Sequence, residues 1–333
     1  VSINPSVWII IVNYRTADLV VNCLRSLVEE FDSLSGARVL VMDNASGDDS
    51  VITLKAAIVR EGWQKWVSVV ALERNGGFAF GNNAGIRMAL ASPLGCDYLF
   101  LLNPDTLVYP GAMQALINFM DIHLEVGITG SHLENVNGGE ESSAHRFHSP
   151  LSELTDGARL GALDRLLKNH LVTPSIRKNA HLCDWVSGAS MMIRREVFED
   201  VGLLDEDYFL YFEEQDFCRR AILADWQIWY VPDSKIMHIE GAATGIQQVV
   251  KRRPAYWYNS RRRYFTKYYG ISGLFLADLL WAIGRLTYLI RRALRLGAQG
   301  RGTDPKWFML DIVWGDLRAV LNGQAWRIAR KRT

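Results

Sequence analysis

Cysteine is scarce in this chain and carries no pairing signature. Cys23, Cys96, Cys183 and Cys218 are scattered through 333 residues without a CxxC spacing, which argues against a zinc site or a disulfide framework and points to a reducing compartment. No signal peptide opens the chain, and the start at Val1 is read as the result of a removed initiator or leader. No loop contains GK[ST], so a P-loop is excluded, and GxGxxG is missing after the first apolar run, which disfavours a dinucleotide site. Acid is missing from one long stretch: Lys251 to Lys267 holds seven Lys or Arg and no Asp or Glu.

What is present is an ordinary globular composition, 49% hydrophobic and 22% charged, long enough for one large domain with or without an appendage. The net charge of +1 conceals an asymmetry. Residues 1–250 carry 19 Lys+Arg against 32 Asp+Glu, a net of −13, whereas residues 251–333 carry 18 against 4, a net of +14. An acidic body with a basic end predicts that the end meets an anionic surface.

Trp8 to Val12 is a continuous β-branched run and predicts a strand buried on both faces. Thr16 is placed to cap a helix over 17–31. Further strands are predicted at 39–42, 67–72 and 98–102, and a short one at 126–130, separated by helices ending near 61, 91 and 123. This alternation implies an α/β fold with a mostly parallel, doubly wound sheet. Residues 132–183 are polar and weakly periodic, and are read as a long, partly mobile excursion over the active face with a short helix near 158–169. Order resumes with a strand-like run over 185–193 that small residues interrupt, a helix over 195–201, an aromatic approach from Tyr208 to Phe212, a helix from the Glu213-Glu214-Gln215-Asp216 cluster to 224, and strands at 227–231 and ending at His238.

Three predicted strand ends carry polar groups: Asp43, Asn75 and Asp105. In a parallel sheet they share the carboxyl edge, where such folds bind ligands. Asp105, after Asn103-Pro104, can hold a hard divalent cation against a diphosphate, or simply cap a following helix. His238 beside it becomes a metal ligand through neutral imidazole, against the reading as a structural histidine. Aromatic residues before Glu213 and Glu214 predict a partly desolvated carboxylate in the general-base range, and the same acids also suit a helix start. The loop from Asn75 to Asn83 lets backbone approach a ligand.

Near the C-terminus, 271–290 is almost wholly apolar, yet Asp278, Arg285 and Arg292 recur every seven residues. On a helix they form one narrow polar stripe, which suits an in-plane helix on an anionic membrane reached through 251–296; the alternative is a helical cap packed on the sheet. The basic stretch lacks a nucleic-acid recognition motif, and no nucleic acid is expected as a partner.

Taken together, VNY at 12–14, DNASGDDS at 43–50, RNGGFAFGNN at 74–83, LLNPDT at 101–106, WVSGASMMIRR at 185–195, YFEEQDFCRR at 211–220 and the following His238 resemble family 2 glycosyltransferases of the GT-A fold. The closest resemblance is to a rhamnosyltransferase-like branch, over about residues 6–245. The resemblance implies that Asn13, Tyr14, Arg15 and Asp43 hold the nucleobase and ribose. It implies that Arg74, Asn75, Gly77 and Asn83 line the nucleotide and donor, and that Trp185, Gly188 and Ala189 face the acceptor. Asn103 and Asp105 match the two ends of the family's DxD motif. The first position departs to Asn, which leaves Asp105, with His238, as the expected ligands of Mg²⁺ or Mn²⁺ and Asn103 on the donor side. Glu214 matches the inverting enzyme's base, where most relatives have Asp; it is one methylene longer, so Glu213 stays a rival.

The expectation is therefore a transferase domain at 1–245 and a basic, amphipathic helical extension at 246–333. The implied activity is inverting, metal-dependent sugar transfer, with dTDP-rhamnose as first-choice donor and a glycan or polyprenyl-diphosphate-linked sugar as acceptor. The setting is cell-surface polysaccharide synthesis at the cytoplasmic face of a bacterial membrane. The alternatives are a UDP-sugar donor carrying galactofuranose, galactose or N-acetylglucosamine, and a non-catalytic sugar-nucleotide or glycan-binding module. A nucleotidyltransferase would want a Gly-rich, basic triphosphate loop, which Asn13-Tyr14-Arg15-Thr16 is not.

Overall fold

The structure, a computed structural model, describes residues 5–34, 36–239, 252–296 and 304–330. The first half runs β1 (Val7–Asn13), α1 (Ala17–Ser33), β2 (Arg38–Asp43), α2 (Ser50–Glu61), β3 (Val67–Ala71), α3 (Gly77–Leu90), β4 (Tyr98–Leu102), β5 (Thr106–Val108), α4 (Ala112–Ile122) and β6 (Val126–Glu134). It continues through β7 (Glu140–Glu141), β8 (Ala144–His145), α5 (Pro150–Ala158), α6 (Gly161–Leu166), β9 (His181–Leu182), β10 (Trp185–Val186), β11 (Ser190–Arg194), α7 (Arg195–Val201) and α8 (Glu213–Leu223). The last elements are β12 (Gln227–His238), α9 (Ala255–Ala293), α10 (Phe308–Leu321) and α11 (Gln324–Arg330).

The chain divides into two compact units. The first comprises residues 1–145, 175–209 and 213–247; the second comprises 146–174, 210–212 and 248–333. The boundary expected at 245/246 lies outside the described residues.

The first unit is a mixed sheet in the order β3-β2-β1-β4-β11-β6-β12-β5. Its β3-β2-β1-β4 half is wholly parallel, as the alternating pattern predicts. Ile9, Ile11, Leu24, Val41 and Phe100 are fully or almost fully buried and knit strands to helices in one core. Each such side chain contributes about 1.5–3 kcal/mol relative to exposure. β11 runs antiparallel between β4 and β6. The run expected over 185–193 is split into β10 and β11, because Ser187-Gly188-Ala189 leaves the ladder.

Three local expectations fail for identifiable reasons. Asp105 caps no helix: the next three residues form β5, an antiparallel edge strand to β12. The two strands expected at 227–238 are one, β12, with irregular registers at Gln227/Ile228 and between Val231 and Lys235, the second around Pro232. Thr16 sits at the start of α1 without a side-chain cap bond; its hydroxyl donates instead to Asn13 Oδ1 at 3.0 Å.

The second unit is helical. The short helix expected near 158–169 is α6; a further helix, α5, precedes it, because Ser149 and Ser152 form a reciprocal capping box with Pro150 in the first turn. α5 packs on α9 at close range: a Cβ on Gly157 would stand 2.4 Å from Trp281 O, and one on Gly284 2.5 Å from Leu154 O. α9 is broken at Gly270, whose φ of 73° and ψ of −178° are not helical. Asp278 and Arg285 lie on the face of α9 turned into the protein. Asp278 accepts from Arg261 Nη1 at 2.8 Å, and Arg261 also binds Glu153 at 2.9 Å and Asp316 at 3.3 Å. Arg262 binds Asp316 at 2.6 Å. The opposite face of α9 presents Phe275, Leu279, Ile283, Leu286 and Ile290 outward.

Candidate active site

The carboxyl ends of β1, β2 and β3 build the first part of the site. Pairing of β1 with β2 sets Asn13 opposite Asp43, and Asn13 Nδ2 donates to Asp43 Oδ1 at 2.7 Å. Ser46 Oγ donates to the same oxygen at 2.6 Å, and the Ser46 amide donates to Oδ2 at 3.2 Å. The Asp43 carboxylate thus staples two strand ends together. Arg15, with a left-handed φ of 60°, turns back so that its amide and Nε reach Ser46 at 2.9 and 2.8 Å. Its guanidinium lies over the exposed Tyr14 ring at 5.2 Å. An open cavity of about 480 Å³ lies beside it, lined by Arg15, Thr16, Asp18, Asp48 and Ser50 among others.

Asn44 was not singled out by the sequence reading, yet it ties the second strand end to the third. Its Nδ2 donates to Asn75 Oδ1 at 3.1 Å and to Gly77 O at 2.9 Å, while its Oδ1 accepts from the Gly76 amide at 3.3 Å. Gly77 has to be glycine: its φ is +89° and a Cβ would fall 1.9 Å from Phe209 O. The neighbouring Phe78 amide donates to that carbonyl at 2.8 Å. Arg74 is exposed and lies over the Phe80 ring at 4.4 Å. Asn83 is brought elsewhere: its buried amide holds Leu204 O at 2.8 Å and Glu206 at 2.9 Å.

At the β4 end, the Asn103 amide donates to Ala189 O at 3.1 Å, which joins the Asn103-Pro104-Asp105 turn to the Gly188-Ala189 turn. β5 then pairs Thr106 with His238. The pairing sets His238 Nε2 3.5 Å from Asp105 Oδ1, and His238 Nδ1 3.4 Å from Glu141 Oε2. Burial works against protonation of His238, but Asp105 and Glu141 together outweigh it and the net shift is upward. Glu141, on β7, escaped the sequence reading because it lies in the long polar segment between β6 and α5. A carboxylate behind an imidazole is a common means of fixing which ring nitrogen faces a metal. Asp105 Oδ1 is sealed from solvent, so a hard oxygen and an imidazole nitrogen converge in a dry place, a donor set that suits a divalent cation.

The carboxylates of α8 have separate surroundings. Asp216 is committed to Arg220 at 2.9 Å and to the Tyr208 hydroxyl at 3.3 Å. Glu213 is almost fully buried. Glu214 is half-buried, and its Oε2 is shut off from solvent with no hydrogen-bond partner among the described residues. Burial pushes its carboxyl up to about 7, against a smaller opposing pull from its own backbone amide. A Cβ added to Gly188 would lie 3.3 Å from Phe78 and 3.9 Å from Glu214 Cβ, so Gly188 joins the donor-loop side to the carboxylate. Trp185 stacks on His145 at 4.2 Å. The residues leading into α8, Tyr211 and Phe212, both have φ of 71°. Two successive bulky residues in the left-handed region are costly and recur where function fixes the backbone.

The family described as "Glycosyltransferase like family 2" matches residues 5–260. The chain is 26% identical over 220 residues to the N-acetylglucosaminyl-diphospho-decaprenol L-rhamnosyltransferase of Mycobacterium tuberculosis, covering 62% of this chain and 68% of the relative. It is 25% identical over 236 residues to rhamnosyltransferase WbbL of Escherichia coli K12, covering 70% and 83%. Among solved structures, the mannosyltransferase PcManGT of Pyrobaculum calidifontis, in complex with GDP-Man and Mn²⁺, superposes with a TM-score of 0.55 at 13% identity, covering 99% of this chain and 88% of that one. That likeness concerns the fold. With the match spanning most of the chain and the sheet edge built as described, the protein belongs to glycosyltransferase family 2 and is a glycosyltransferase of GT-A architecture.

Proposed function

We propose that the protein transfers a sugar with inversion from a nucleotide donor, dTDP-rhamnose as first choice, to a glycan or polyprenyl-diphosphate-linked acceptor. The observation that carries this reading is the sheltered, unpartnered Glu214 Oε2 beside Gly188. Desolvation raises its basicity, so an acceptor hydroxyl approaching there can give up its proton as it attacks the anomeric carbon. A single base without a covalent intermediate corresponds to inversion. Glu213, more deeply buried, remains the rival base.

Asn13, Tyr14, Arg15 and Asp43 are assigned to the nucleoside, and Arg74, Asn75, Gly77 and Asn103 to the diphosphate and donor sugar. Asn83 is assigned to holding the donor loop. Trp185, Gly188 and Ala189 form the acceptor side. Asp105 and His238 are the residues that would hold Mg²⁺ or Mn²⁺, oriented by Glu141. Bound there, the cation would supply neutralisation of the departing diphosphate. Holding donor and acceptor in line is worth several kcal/mol of barrier, up to about 7–11 in favourable cases.

The choice of rhamnose follows the relatives from Mycobacterium tuberculosis and Escherichia coli, both named rhamnosyltransferases. Residues 1–245 are assigned to transfer and 246–333 to a basic extension on the cytoplasmic face of a bacterial membrane. Among the described residues one helix, α9, is long and apolar enough by composition to cross a bilayer. Its inward Asp278 and Arg285 and its outward apolar row favour lying on the surface instead.

A thermal-shift panel of dTDP- and UDP-sugars with Mg²⁺ and Mn²⁺ tests the reading. A ligand at a hundred times its Kd stabilises by about 2.7 kcal/mol. The expected largest shift is with dTDP-rhamnose and a divalent cation; a larger shift with UDP-galactose, UDP-galactofuranose or UDP-N-acetylglucosamine would replace the donor assignment.

A further inference from the structure

The helical unit contains a cavity of about 600 Å³ that the transfer chemistry above does not use. Its size is in the range of small-molecule sites. Its walls include four aromatic rings: Trp257 and Phe308, 5.3 Å apart, Trp281 5.2 Å from Phe308, and Phe212 6.3 Å from Trp257. Four carboxylates and three guanidiniums complete the lining.

Most of that charge is spent. Glu153 is held by Arg261 at 2.9 Å, and Asp304 by Arg159 at 2.9 Å and by Arg285. Two groups stand out. Arg253 lies over the Trp257 ring at 4.5 Å and the Phe308 ring at 5.8 Å. Among the described residues it makes no ion pair or hydrogen bond, and its Nε is closed off from solvent. Asp156, of opposite charge, likewise has no hydrogen bond or salt bridge among the described residues and is exposed to solvent.

An unspent donor fork and an unspent acceptor in one aromatic-walled cavity select the ligand. A phosphate or diphosphate would meet Arg253 but also a lining whose formal charge is −1 with His148 neutral. A cation at His148, Glu153 and Asp156, whose ligand atoms lie within 4.8 Å of one another, would have to displace Arg261 from Glu153. A sugar ring satisfies both groups without charge: its hydroxyls donate to the carboxylate and accept from the guanidinium, while its C–H faces lie on the aromatic walls.

We infer that this cavity binds one neutral sugar residue of the acceptor, held by Asp156 and Arg253 against Trp257 and Phe308. The inference rests on reading the chain as a transferase to a glycan. It gives a use to Phe212, a wall of the cavity and the residue immediately before Glu213 in the chain.

The test uses the full chain and two substitutions at partly exposed positions, Asp156→Ala and Arg253→Ala. Saturation-transfer NMR is run with free N-acetylglucosamine, free L-rhamnose and inorganic pyrophosphate as probes, alongside metal-dependent hydrolysis of the donor without acceptor. A monosaccharide signal in the native protein, lost or weakened about tenfold in each variant with donor hydrolysis unchanged, supports the subsite. A pyrophosphate signal without a monosaccharide signal overturns it, as does monosaccharide binding that neither substitution alters. If the native protein hydrolyses and transfers no nucleotide sugar while the substitution-sensitive monosaccharide signal persists, the transferase reading fails and the cavity assignment stands as a sugar site.

Discussion

His238 Nε2 stands 3.5 Å from Asp105 Oδ1, because one short antiparallel pairing, β5 on β12, brings together residues 133 positions apart. The Ile239 amide donates to Asp105 O at 2.8 Å and locks the backbone of the pair. Removing either side chain should abolish the gain in nucleoside-diphosphate affinity that Mn²⁺ confers. Calorimetry on Asp105→Ala and His238→Ala, with dTDP and with and without Mn²⁺, checks this. Glu141→Gln should act more mildly, weakening Mn²⁺ affinity by about 10- to 100-fold. Unchanged metal dependence in Asp105→Ala would remove the assignment.

Glu214 makes a kinetic prediction. As a base it must be ionised, and its carboxyl is raised to about 7. The transfer rate should therefore fall as pH drops through that value and level off above it. Glu214→Gln should lower kcat by about 100- to 10,000-fold while leaving donor affinity intact. A variant with native turnover would move the role to Glu213 or elsewhere.

The buried cluster around Arg261 should make stability depend on pH. Burial raises the Asp316 carboxyl to about 7 from its ordinary 3.8; the nearby Asp278 charge adds to this, and Arg261 and Arg262 oppose it. Between these values the folded state binds the proton that the unfolded chain has released, so this group's contribution to stability falls as pH rises. Asp316→Asn imitates the protonated form. Its Tm relative to the native protein should thus improve from pH 5 to pH 8, measurable by scanning fluorimetry in matched buffers; a difference independent of pH would contradict it. Arg261→Met should destabilise by about 3–5 kcal/mol at pH 8, where it leaves buried carboxylates unmatched, and by less at pH 5, where the raised carboxyls take up protons.

The outward row on α9 predicts co-sedimentation with anionic vesicles. Replacing Leu279 and Leu286, both more than half exposed at 57% and 59%, by Glu should abolish it without disturbing the fold. Ionic strength near 1 M, where the screening length is about 3 Å, should weaken it. Equal binding to neutral vesicles at high salt would show that the basic residues contribute nothing.

Much of the sheet was legible because buried parallel strands announce themselves as apolar runs: Trp8–Val12 and Tyr98–Leu102 need no partner to be recognised. β5 was not legible, since three residues after Asp105 carry too little pattern and owe their strand form to β12. The positions of Asp43 and Asp105 at one sheet edge followed from chain order alone. Asn44 and Glu141 did not, because which polar residue of a loop turns inward depends on contacts made by distant segments. The stripe of Asp278 and Arg285 was visible as a period of seven, but its direction was not: it turns inward onto Arg261, from the part of α9 before the break at Gly270, and onto Asp304, beyond α9.

The helical unit takes its material from three separate stretches of chain, and α5 comes from residues 150–158, well before α9. A product terminated at residue 245 would therefore still carry Glu153 and Gly157 without Arg261 or Gly284 to receive them. The tail cannot be grafted onto another transferase, or removed from this one, as a cassette: residues 146–174 have to travel with it. On the ribosome the same constraint delays completion of the helical unit until the last helices have emerged, so α5 waits through more than a hundred residues of synthesis for its partner.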